Sequence, residues 1–224
     1  MIEVTYIDHM GSDLSVVNSA RVSFGKKSKS LGEVGIGDEP IMVPVLHDTD
    51  VRLIRYLAKH KHKSPFNHAF ATFHVKAPIF VARQLVKHEY MPWNEISRRY
   101  VDNEPEFFHP TEWRGRSDDK KQGSEGVIES LRPTYSKTLI KIAMDNYKHL
   151  LSEGVCPEQA RMVLPQSMMT EWYWSGSLFA FAKMCGLRLK DDTQYETRLV
   201  AQEIEDYMMD IYPNSWEALR MYDD

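Results

Sequence analysis

The chain has 224 residues, of which 42% are hydrophobic and 27% charged, a composition typical of a soluble globular protein, and we expect one domain over residues 1–224. Its formal net charge of −4 argues against a protein whose main role is to coat nucleic acid, and no apolar run is long enough to span a bilayer. Two cysteines are too few for a disulfide framework and the first residues lack the pattern of a signal peptide, so we expect a cytoplasmic protein with no nucleic-acid or membrane partner.

The first third of the chain alternates strand-like and helix-like patterns. In chain order these patterns predict a strand at Ile2–Asp8, a short helix capped by Asp13 and ending at Ala20, a loop at 26–44 with a brief strand near Ile41–Val45, a helix capped by Asp48 or Thr49, and a strand at Asn67–Lys76. In the last of these strands, Phe70, Thr72 and His74 should share one face, opposite Ala71 and Phe73.

The rest of the chain has mostly helical spacing of apolar residues. It predicts a helix from Ile79 to about Tyr90, a loop at Pro105–Gly126, an amphipathic helix at Thr134–Glu153, a helix from Pro157 towards Pro165, a buried apolar helix at Thr170–Cys185 stopped by Gly186, a helix capped by Asp191 or Asp192 and ending near Tyr212, and a short last helix capped by Asn214. With about three strands and a helix-rich C-terminal half, the fold class is α+β, a mixed α/β arrangement.

The most informative stretch runs from Arg83 to Tyr100, where cationic, acidic, amide and aromatic side chains are interleaved with apolar ones. Such a mixture suits neither a solvated surface nor a core, but it suits a ligand that carries a phosphate and a flat ring. On the predicted helix Gln84, Lys87 and His88 share a face, which could grip such a ligand or could simply be a solvated polar face.

Beyond Pro92 we expect a loop that carries Asn94, Glu95 and Ser97. Arg98 and Arg99 add guanidinium forks, which match phosphate oxygens. Because no nucleophile-elbow motif surrounds Ser97, we interpret it as a hydrogen-bond donor to phosphate and not as a nucleophile.

Two further arginines, Arg161 and Arg188, each lie in an apolar segment. Each is expected either to join a structural salt bridge or to help form an anion site. The histidines between His60 and His74 lack the spacing of a metal site, so no metal is predicted, and His62 and Ser64 are expected to face a ligand or the backbone. The glycine-rich nucleotide-binding loops are absent from the sequence.

Several motifs spread over almost the whole chain resemble the flavin-dependent thymidylate synthases, the ThyX family. They are Ala20-Arg21-Val22-Ser23-Phe24, His62-Lys63-Ser64-Pro65-Phe66-Asn67-His68, the run from Phe73 to Gln84, Trp93-Asn94-Glu95-Ile96-Ser97-Arg98-Arg99-Tyr100, Ala160-Arg161-Met162-Val163-Leu164-Pro165 and Gly186-Leu187-Arg188. Together they are much more specific than any one of them.

The hallmark of that family is Arg-His-Arg, seven residues and then Ser. This chain has Lys87-His88-Glu89, seven residues and then Ser97, so the histidine and serine match while both arginines are replaced. Lys87 keeps the positive charge without the fork and Glu89 reverses the sign. We hypothesise that Arg98 supplies the missing charge.

The resemblance implies a ThyX-like fold, with a small antiparallel sheet flanked by several helices, and a homotetramer whose active sites lie between subunits. It implies reductive methylation of dUMP to dTMP, with 5,10-methylenetetrahydrofolate as carbon donor and FAD reduced by NADPH. Carried over by position, the residues expected to bind dUMP are Gln84, Glu95, Ser97, Arg98, Arg99, Arg161 and Arg188, with Arg188 catalytic because it should polarise the pyrimidine. Those expected to bind FAD are Ser23, His62, Ser64, Lys87, His88, Glu89, Asn94 and Glu95.

The chain departs from the family pattern elsewhere too. Asp192 replaces a histidine that often binds flavin, and Ser177, Phe179 and Lys183 stand where some members have flavin-contacting Asn, Arg and Asn. The segment Glu112–Ser124 resembles an insertion. Two alternatives therefore stay open: a flavin enzyme that transfers another one-carbon group to dUMP, such as a hydroxymethyl group, and a non-catalytic nucleotide- or RNA-binding relative.

Overall fold

The computed structural model describes residues 1–36, 40–101, 103–119 and 123–222. The predicted loops at 26–44 and Pro105–Gly126 therefore each include a few positions outside the described residues. In chain order the elements are β1 Glu3–Met10, α1 Asp13–Arg21, β2 Gly32–Ile36, β3 Ile41–Val45, α2 Asp48–Lys59, β4 Phe70–Pro78, α3 Ile79–Leu85, β5 Trp93–Glu95, β6 Arg114–Gly115, β7 Glu125–Val127, α4 Tyr135–Ser152, α5 Pro157–Ala160, β8 Met169–Ser177, α6 Leu178–Arg188, α7 Tyr195–Ile211 and α8 Pro213–Met221.

The centre of the fold is a four-stranded antiparallel sheet in the order β1-β4-β8-β5. One face of β4 carries Ala71, Phe73 and Val75, which are buried, whereas Phe70, on the other face, is exposed. This confirms the predicted alternation along β4 and the expected α+β class with a small antiparallel sheet flanked by helices. The sheet is the platform on which the chemistry-bearing segments are placed.

The largest difference between the predicted and the observed elements is at strand β8. The sequence predicts one buried apolar helix over Thr170–Cys185, but Met169–Ser177 is a strand held between β4 and β5. Trp172 and Trp174 point into the core while Tyr173 is half-exposed, the period of two that a strand requires. Aromatic residues favour such a pleated surface. Because the strand is buried between two neighbouring strands, the segment is apolar throughout and its period of two is hard to recognise in the sequence.

The helix α6 begins directly after β8. The Ser177 hydroxyl oxygen accepts a hydrogen bond from the Ala180 backbone N–H at 3.2 Å, which caps the helix and separates it from the strand. The helix then continues through Gly186 to Arg188, so the predicted stop at Gly186 is wrong. This extension carries Arg188 to the end of the helix, where its side chain reaches α3.

Asp13 was predicted to cap α1, but it caps the last helix of the chain. It is buried, and its carboxylate accepts hydrogen bonds from the backbone N–H groups of Asn214 and Ser215, both at 2.9 Å. A carboxylate at a helix N-terminus satisfies otherwise unpaired N–H groups and opposes the helix dipole. This contact joins the two ends of the chain.

The other helix starts lie within a few residues of their predicted positions, as is usual for boundaries read from sequence. The N-cap residues are His47 for α2, Gln194 for α7 and Tyr212 for α8, in place of the predicted aspartates, Thr49 and Asn214. The helix α4 ends at Ser152, one residue before the predicted Glu153, and the predicted stop residue Gly154 follows with a φ of 86°, which is accessible to glycine at little cost.

Two predicted loops contain short hairpins. Strands β2 and β3 pair with each other, as do β6 and β7, and only β3 was expected from the sequence. The first strand of the second hairpin lies in the segment that resembles an insertion, and this hairpin approaches the start of α7 through Arg114. Within the described residues no helix is both long and apolar enough to cross a membrane.

Candidate active site

The helix α3 ends earlier than predicted, and a distant arginine binds one of its last carbonyl groups. Its last residue is Leu85, and residues 86–90 form turns that include Tyr90 at a φ of 60°. The Gln84 carbonyl accepts a hydrogen bond from Arg188 Nη2 at 2.9 Å, and the His88 backbone N–H binds the Leu85 carbonyl instead. Lys87 and His88 are therefore outside the helix, and the predicted helical face shared by Gln84, Lys87 and His88 is wrong.

Arg188 and His88 are linked directly. Arg188 Nε donates to His88 Nε2 at 3.1 Å. Burial lowers the pKa of the His88 imidazole to about 4, and the nearby charges of Arg188 and Lys183 act in the same direction. Burial also lowers the pKa of the Arg188 guanidinium. At neutral pH the imidazole is therefore uncharged and can accept this hydrogen bond, which fixes the direction of the guanidinium plane.

Gln84 and Arg188 line one cleft, which we call the Gln84 cleft, with a volume of about 790 Å³. The Gln84 amide Nε2 donates to Gln194 Oε1, and Gln194 Nε2 donates to Glu196 Oε2 at 3.2 Å. Two of the residues predicted to bind dUMP are thus together. Gln194 and Glu196 were not singled out from the sequence, because a polar residue at a helix start is usually a cap.

A second cavity, the His88 cavity, has a volume of about 760 Å³ and shares Lys87 and Arg188 with the Gln84 cleft. Its lining includes Lys87, His88 and Glu89, three of the residues predicted to bind FAD. It also includes Ser177, Phe179 and Lys183, three of the positions at which this chain departs from the family pattern. Substitutions at those positions therefore change the wall of this cavity.

Two further cavities form a series with the His88 cavity, because neighbouring cavities share lining residues. The Lys63 cavity, of about 210 Å³, shares Lys63 and Lys183 with the His88 cavity, and it shares His62 with a further cavity of about 800 Å³. That further cavity, the Ser64 cavity, is lined by Ser23, Ser64 and His62. Six residues predicted to bind FAD thus lie along one series of adjoining cavities. They are Ser23, His62, Ser64, Lys87, His88 and Glu89.

The segment after Pro92 was predicted to be a loop, but it begins with the edge strand β5. Pairing with β8 places Asn94 opposite Tyr173 and Glu95 opposite Trp172. Glu95 Oε1 accepts from the Thr170 hydroxyl at 2.6 Å, and Oε2 accepts from the Trp93 indole at 3.1 Å. The sheet, and not a loop, therefore fixes the predicted ligand groups Asn94 and Glu95.

Beyond β5, the chain places its two adjacent arginines differently. Arg98 is buried and its Nη1 donates to the Asn103 carbonyl at 2.6 Å, whereas Arg99 is exposed. The Ser97 hydroxyl accepts a hydrogen bond from Arg99 Nε at 3.2 Å. Arg98 therefore also has a structural contact, while Arg99 extends towards solvent beside Ser97.

Arg161 lies with this second group. The Arg161 cavity has a volume of about 310 Å³ and is lined by Glu95, Arg98, Arg161 and Thr170, with no lining residue in common with the Gln84 cleft. The residues predicted to bind dUMP are thus divided between two places on the chain. Thr170, which was assigned to a helix from the sequence, is a further residue of this site.

Comparison with known proteins gives a consistent result. The profile of the family described as "Thymidylate synthase complementing protein" matches residues 5–214. The flavin-dependent thymidylate synthase of Thermus thermophilus is 37% identical over 216 residues, covering 96% of this chain and 74% of that protein. The flavin-dependent thymidylate synthase of Thermotoga neapolitana is 36% identical over 219 residues, covering 98% and 91%.

A solved structure is similar over the full length. The UMP/dUMP methylase PolB from Streptomyces cacaoi, bound with 5-Br dUMP, superposes with a TM-score of 0.84 at 27% identity, covering 100% of this chain and 96% of that chain. The fold and the profile match agree with the resemblance carried by the sequence motifs. The chain therefore belongs to the Thy1 family, the flavin-dependent thymidylate synthases.

Proposed function

We propose that this protein, as a single domain over residues 1–224, catalyses reductive methylation of dUMP to dTMP with 5,10-methylenetetrahydrofolate and with FAD reduced by NADPH. The observation that supports this reaction most directly is the position of Arg188. Arg188 lies where the Gln84 cleft meets the His88 cavity, and it is fixed by the Gln84 carbonyl and His88 Nε2. A pyrimidine in the cleft and a flavin in the cavity would meet at this guanidinium.

The series of adjoining cavities suits FAD in both shape and charge. It is elongated, as a dinucleotide requires, and Lys63 and Lys183 line both the His88 cavity and the adjoining Lys63 cavity, where cations could face a pyrophosphate. Ser23, His62 and Ser64 would hold one end, and Lys87, His88 and Glu89 the other. When bound, FAD would supply the hydride of the reaction.

Arg188 is the residue to which we assign catalysis. In a partly buried cleft a fixed guanidinium beside a ring carbonyl stabilises negative charge on that oxygen, as in the enolate form of the ring from which carbon 5 attacks, and the arginine need not reorganise. Gln84 would contact the ring from the same cleft. His88 contributes by holding Arg188 in place, because it accepts the Nε–H hydrogen bond in its neutral form.

The phosphate of dUMP is assigned to the second group of residues. Ser97, Arg99 and Arg161 provide a hydroxyl and two exposed guanidinium groups, the donors that bind phosphate oxygens most strongly. They lie away from the Gln84 cleft within one copy of the chain, so we propose that a second copy brings them to it. The expected homotetramer with active sites between subunits is consistent with this division.

The altered hallmark motif affects the flavin side of the site. Lys87 and Glu89 line the His88 cavity, whereas Arg98 lines the Arg161 cavity and donates to Asn103. Arg98 could therefore supply the missing charge only across a subunit boundary. Loss of dUMP and FAD affinity in Arg98→Ala would support that hypothesis, and unchanged affinities would contradict it.

The proposed function has a direct test. Purified protein should show flavin absorbance after incubation with FAD, and with dUMP, NADPH and methylenetetrahydrofolate it should form dTMP, identified by mass. A hydroxymethylated product would identify the alternative one-carbon transfer. Protein that takes up no FAD would contradict the proposal and favour a non-catalytic nucleotide-binding relative. The cytoplasmic location expected from the cysteine count stays a prediction.

A further inference from the structure

Four polar side chains form a continuous hydrogen-bonded chain from the β6–β7 hairpin to the Gln84 cleft. Arg114 Nη2 donates to Glu196 Oε1 at 2.5 Å, and Gln194 Nε2 donates to Glu196 Oε2 at 3.2 Å. Gln84 Nε2 in turn donates to Gln194 Oε1. Glu196 is buried, with 4% of its surface exposed, so solvent offers its carboxylate little alternative to these partners.

The direction of every hydrogen bond in this chain follows from the carboxylate of Glu196. A carboxylate only accepts, so the Gln194 side chain must turn its NH₂ group towards Glu196. The Gln194 oxygen then faces Gln84, which must donate. The chemistry of the partners thus sets the orientation of the two amides, since a reversed Gln194 would place its oxygen against the Glu196 carboxylate and its NH₂ group against the NH₂ group of Gln84.

In this arrangement the oxygen of the Gln84 amide is the atom left for a ligand. Its Nε2 is engaged by Gln194 and also lies 3.5 Å from the Phe80 carbonyl. Its Oε1 has no hydrogen-bond partner among the described residues, although Gln84 lines the cleft. The cleft therefore contains a fixed hydrogen-bond acceptor at Gln84 and a fixed donor at Arg188.

We propose that Glu196 is a positioning residue: through Gln194 it holds the Gln84 amide with its oxygen available to the cleft, so that the cleft selects uracil over cytosine. Uracil carries an N–H donor at ring position 3 between two carbonyl acceptors, whereas cytosine has an acceptor at position 3. The inference rests on the proposed function, since it assumes that a pyrimidine occupies the Gln84 cleft.

Arg114 determines how the network should respond to a substitution of Glu196. It comes from the insertion-like segment, its Nε also donates to Ser124 at 2.8 Å, and its guanidinium lies 4.7 Å from the centre of the Tyr195 ring. Because Arg114 only donates, Glu196→Gln should turn its new oxygen towards Arg114 and its NH₂ group towards Gln194. Gln194 would then turn over and donate to Gln84, which would present its own NH₂ group to the cleft.

The test is the preference for dUMP over dCMP, measured by calorimetric binding to the FAD-loaded protein. In Glu196→Gln this preference should fall by about tenfold or more, the effect of exchanging one matched hydrogen bond for an unmatched one. Adding Gln84→Glu to that variant should restore the preference, because a carboxylate at position 84 can accept from the turned Gln194 and still offer an acceptor to the ring. A purely structural role of Glu196 would not produce this rescue.

The matched control is Glu205→Gln on the same helix. Glu205 accepts from Arg220 Nε at 3.1 and 3.2 Å, and it is partly buried, but it does not line the cleft. Its substitution should leave the preference unchanged. If Glu196→Gln does not fold, Gln194→Met tests the same point, since it removes the partner that orients Gln84 and should lower the preference too.

Two outcomes separate the inference from the function on which it rests. If the wild-type protein binds dUMP and FAD but folded Glu196→Gln keeps its full preference for dUMP, the positioning role is wrong and the proposed function stands. If the FAD-loaded wild-type protein binds neither nucleotide, the proposed function fails and this inference fails with it.

Discussion

The residues expected to bind dUMP form two groups with opposite character. In the inner group, Gln84 and Arg188 are partly buried, and each is held by hydrogen bonds to Gln194, to His88 or to the backbone. In the outer group, Arg99 and Arg161 are exposed, and their contacts are with residues close in sequence. The inner group is organised before any ligand arrives, whereas Arg99 and Arg161 offer charge without a fixed geometry.

This difference matches the two parts of a nucleotide. A pyrimidine ring is distinguished from similar rings by the direction of its donors and acceptors, and that requires groups held at fixed angles. A phosphate is bound mainly by charge, and flexible guanidinium groups are sufficient for it. We therefore expect substitutions in the inner group to reduce catalysis and those in the outer group to reduce affinity.

The largest effect is expected at Arg188. Arg188→Lys keeps the charge but lacks the fork that contacts the Gln84 carbonyl, His88 and the ring together, so kcat/KM for dTMP formation should fall by about 10²–10³. The control is Arg55→Lys, at an exposed ion pair with Glu217. An Arg188→Lys enzyme within threefold of wild type, on the order of experimental scatter, would contradict the catalytic assignment.

A smaller effect is expected in the outer group. Arg161→Gln and Arg99→Gln should each raise KM for dUMP by about tenfold with little change in kcat, because each removes one charged contact to the phosphate. The effect should diminish at high ionic strength, since exposed charges are screened. Steady-state kinetics at two salt concentrations would check this, and a fall in kcat at unchanged KM would remove the distinction between the two groups.

A modest effect on stability is expected from His88. Its pKa in the folded protein is about 4, below the ordinary 6.5, so between these pH values the unfolded chain binds more protons. The free energy of unfolding should therefore decrease as pH falls from 6.5 to 4, by an amount on the order of 1 kcal/mol after allowing for the partial exposure of the side chain. Denaturant titrations of wild type and His88→Gln would measure it.

Wild type must be compared with His88→Gln because burial also lowers the pKa of His9, which therefore makes the free energy of unfolding depend on pH in the same direction. The difference between wild type and His88→Gln isolates His88. If the two curves of unfolding free energy against pH run parallel from 6.5 to 4, His88 is not held neutral in the fold and cannot be the fixed acceptor for Arg188.

Much of the fold could be predicted from local pattern, and the failures have physical causes. Strands β1 and β4 and helices α2 and α4 follow from periodicity, since each has one buried face. Strand β8 could not be distinguished from a helix because it is flanked by strands on both sides and followed directly by the apolar α6. At the early end of α3 the Gln84 carbonyl accepts a hydrogen bond from Arg188, which is 104 residues away and so cannot be read from the local pattern.

Local sequence pattern was also not sufficient to predict the arrangement of the candidate site. The motifs identify which residue types take part, but their division into an inner and an outer group depends on where the sheet places them. Pairing of β5 with β8 holds Glu95 beside Thr170, and the length of α6 carries Arg188 to α3. Neither contact follows from the spacing of residues within one segment, so the motifs alone do not show which of these residues lie together in one copy of the chain.

The central claim is that these two parts combine between copies of the chain, and mixing two inactive variants tests it directly. Arg188→Ala lacks the inner group and Arg99→Ala with Arg161→Ala lacks the outer one, so each protein alone should be nearly inactive when dUMP is held at the wild-type KM. If the groups meet across a subunit boundary, co-expression should restore about one quarter of wild-type dTMP formation, because random pairing rebuilds that share of intact sites. Activity no higher than that of the separate variants would show that both groups must come from the same copy, and would contradict the account.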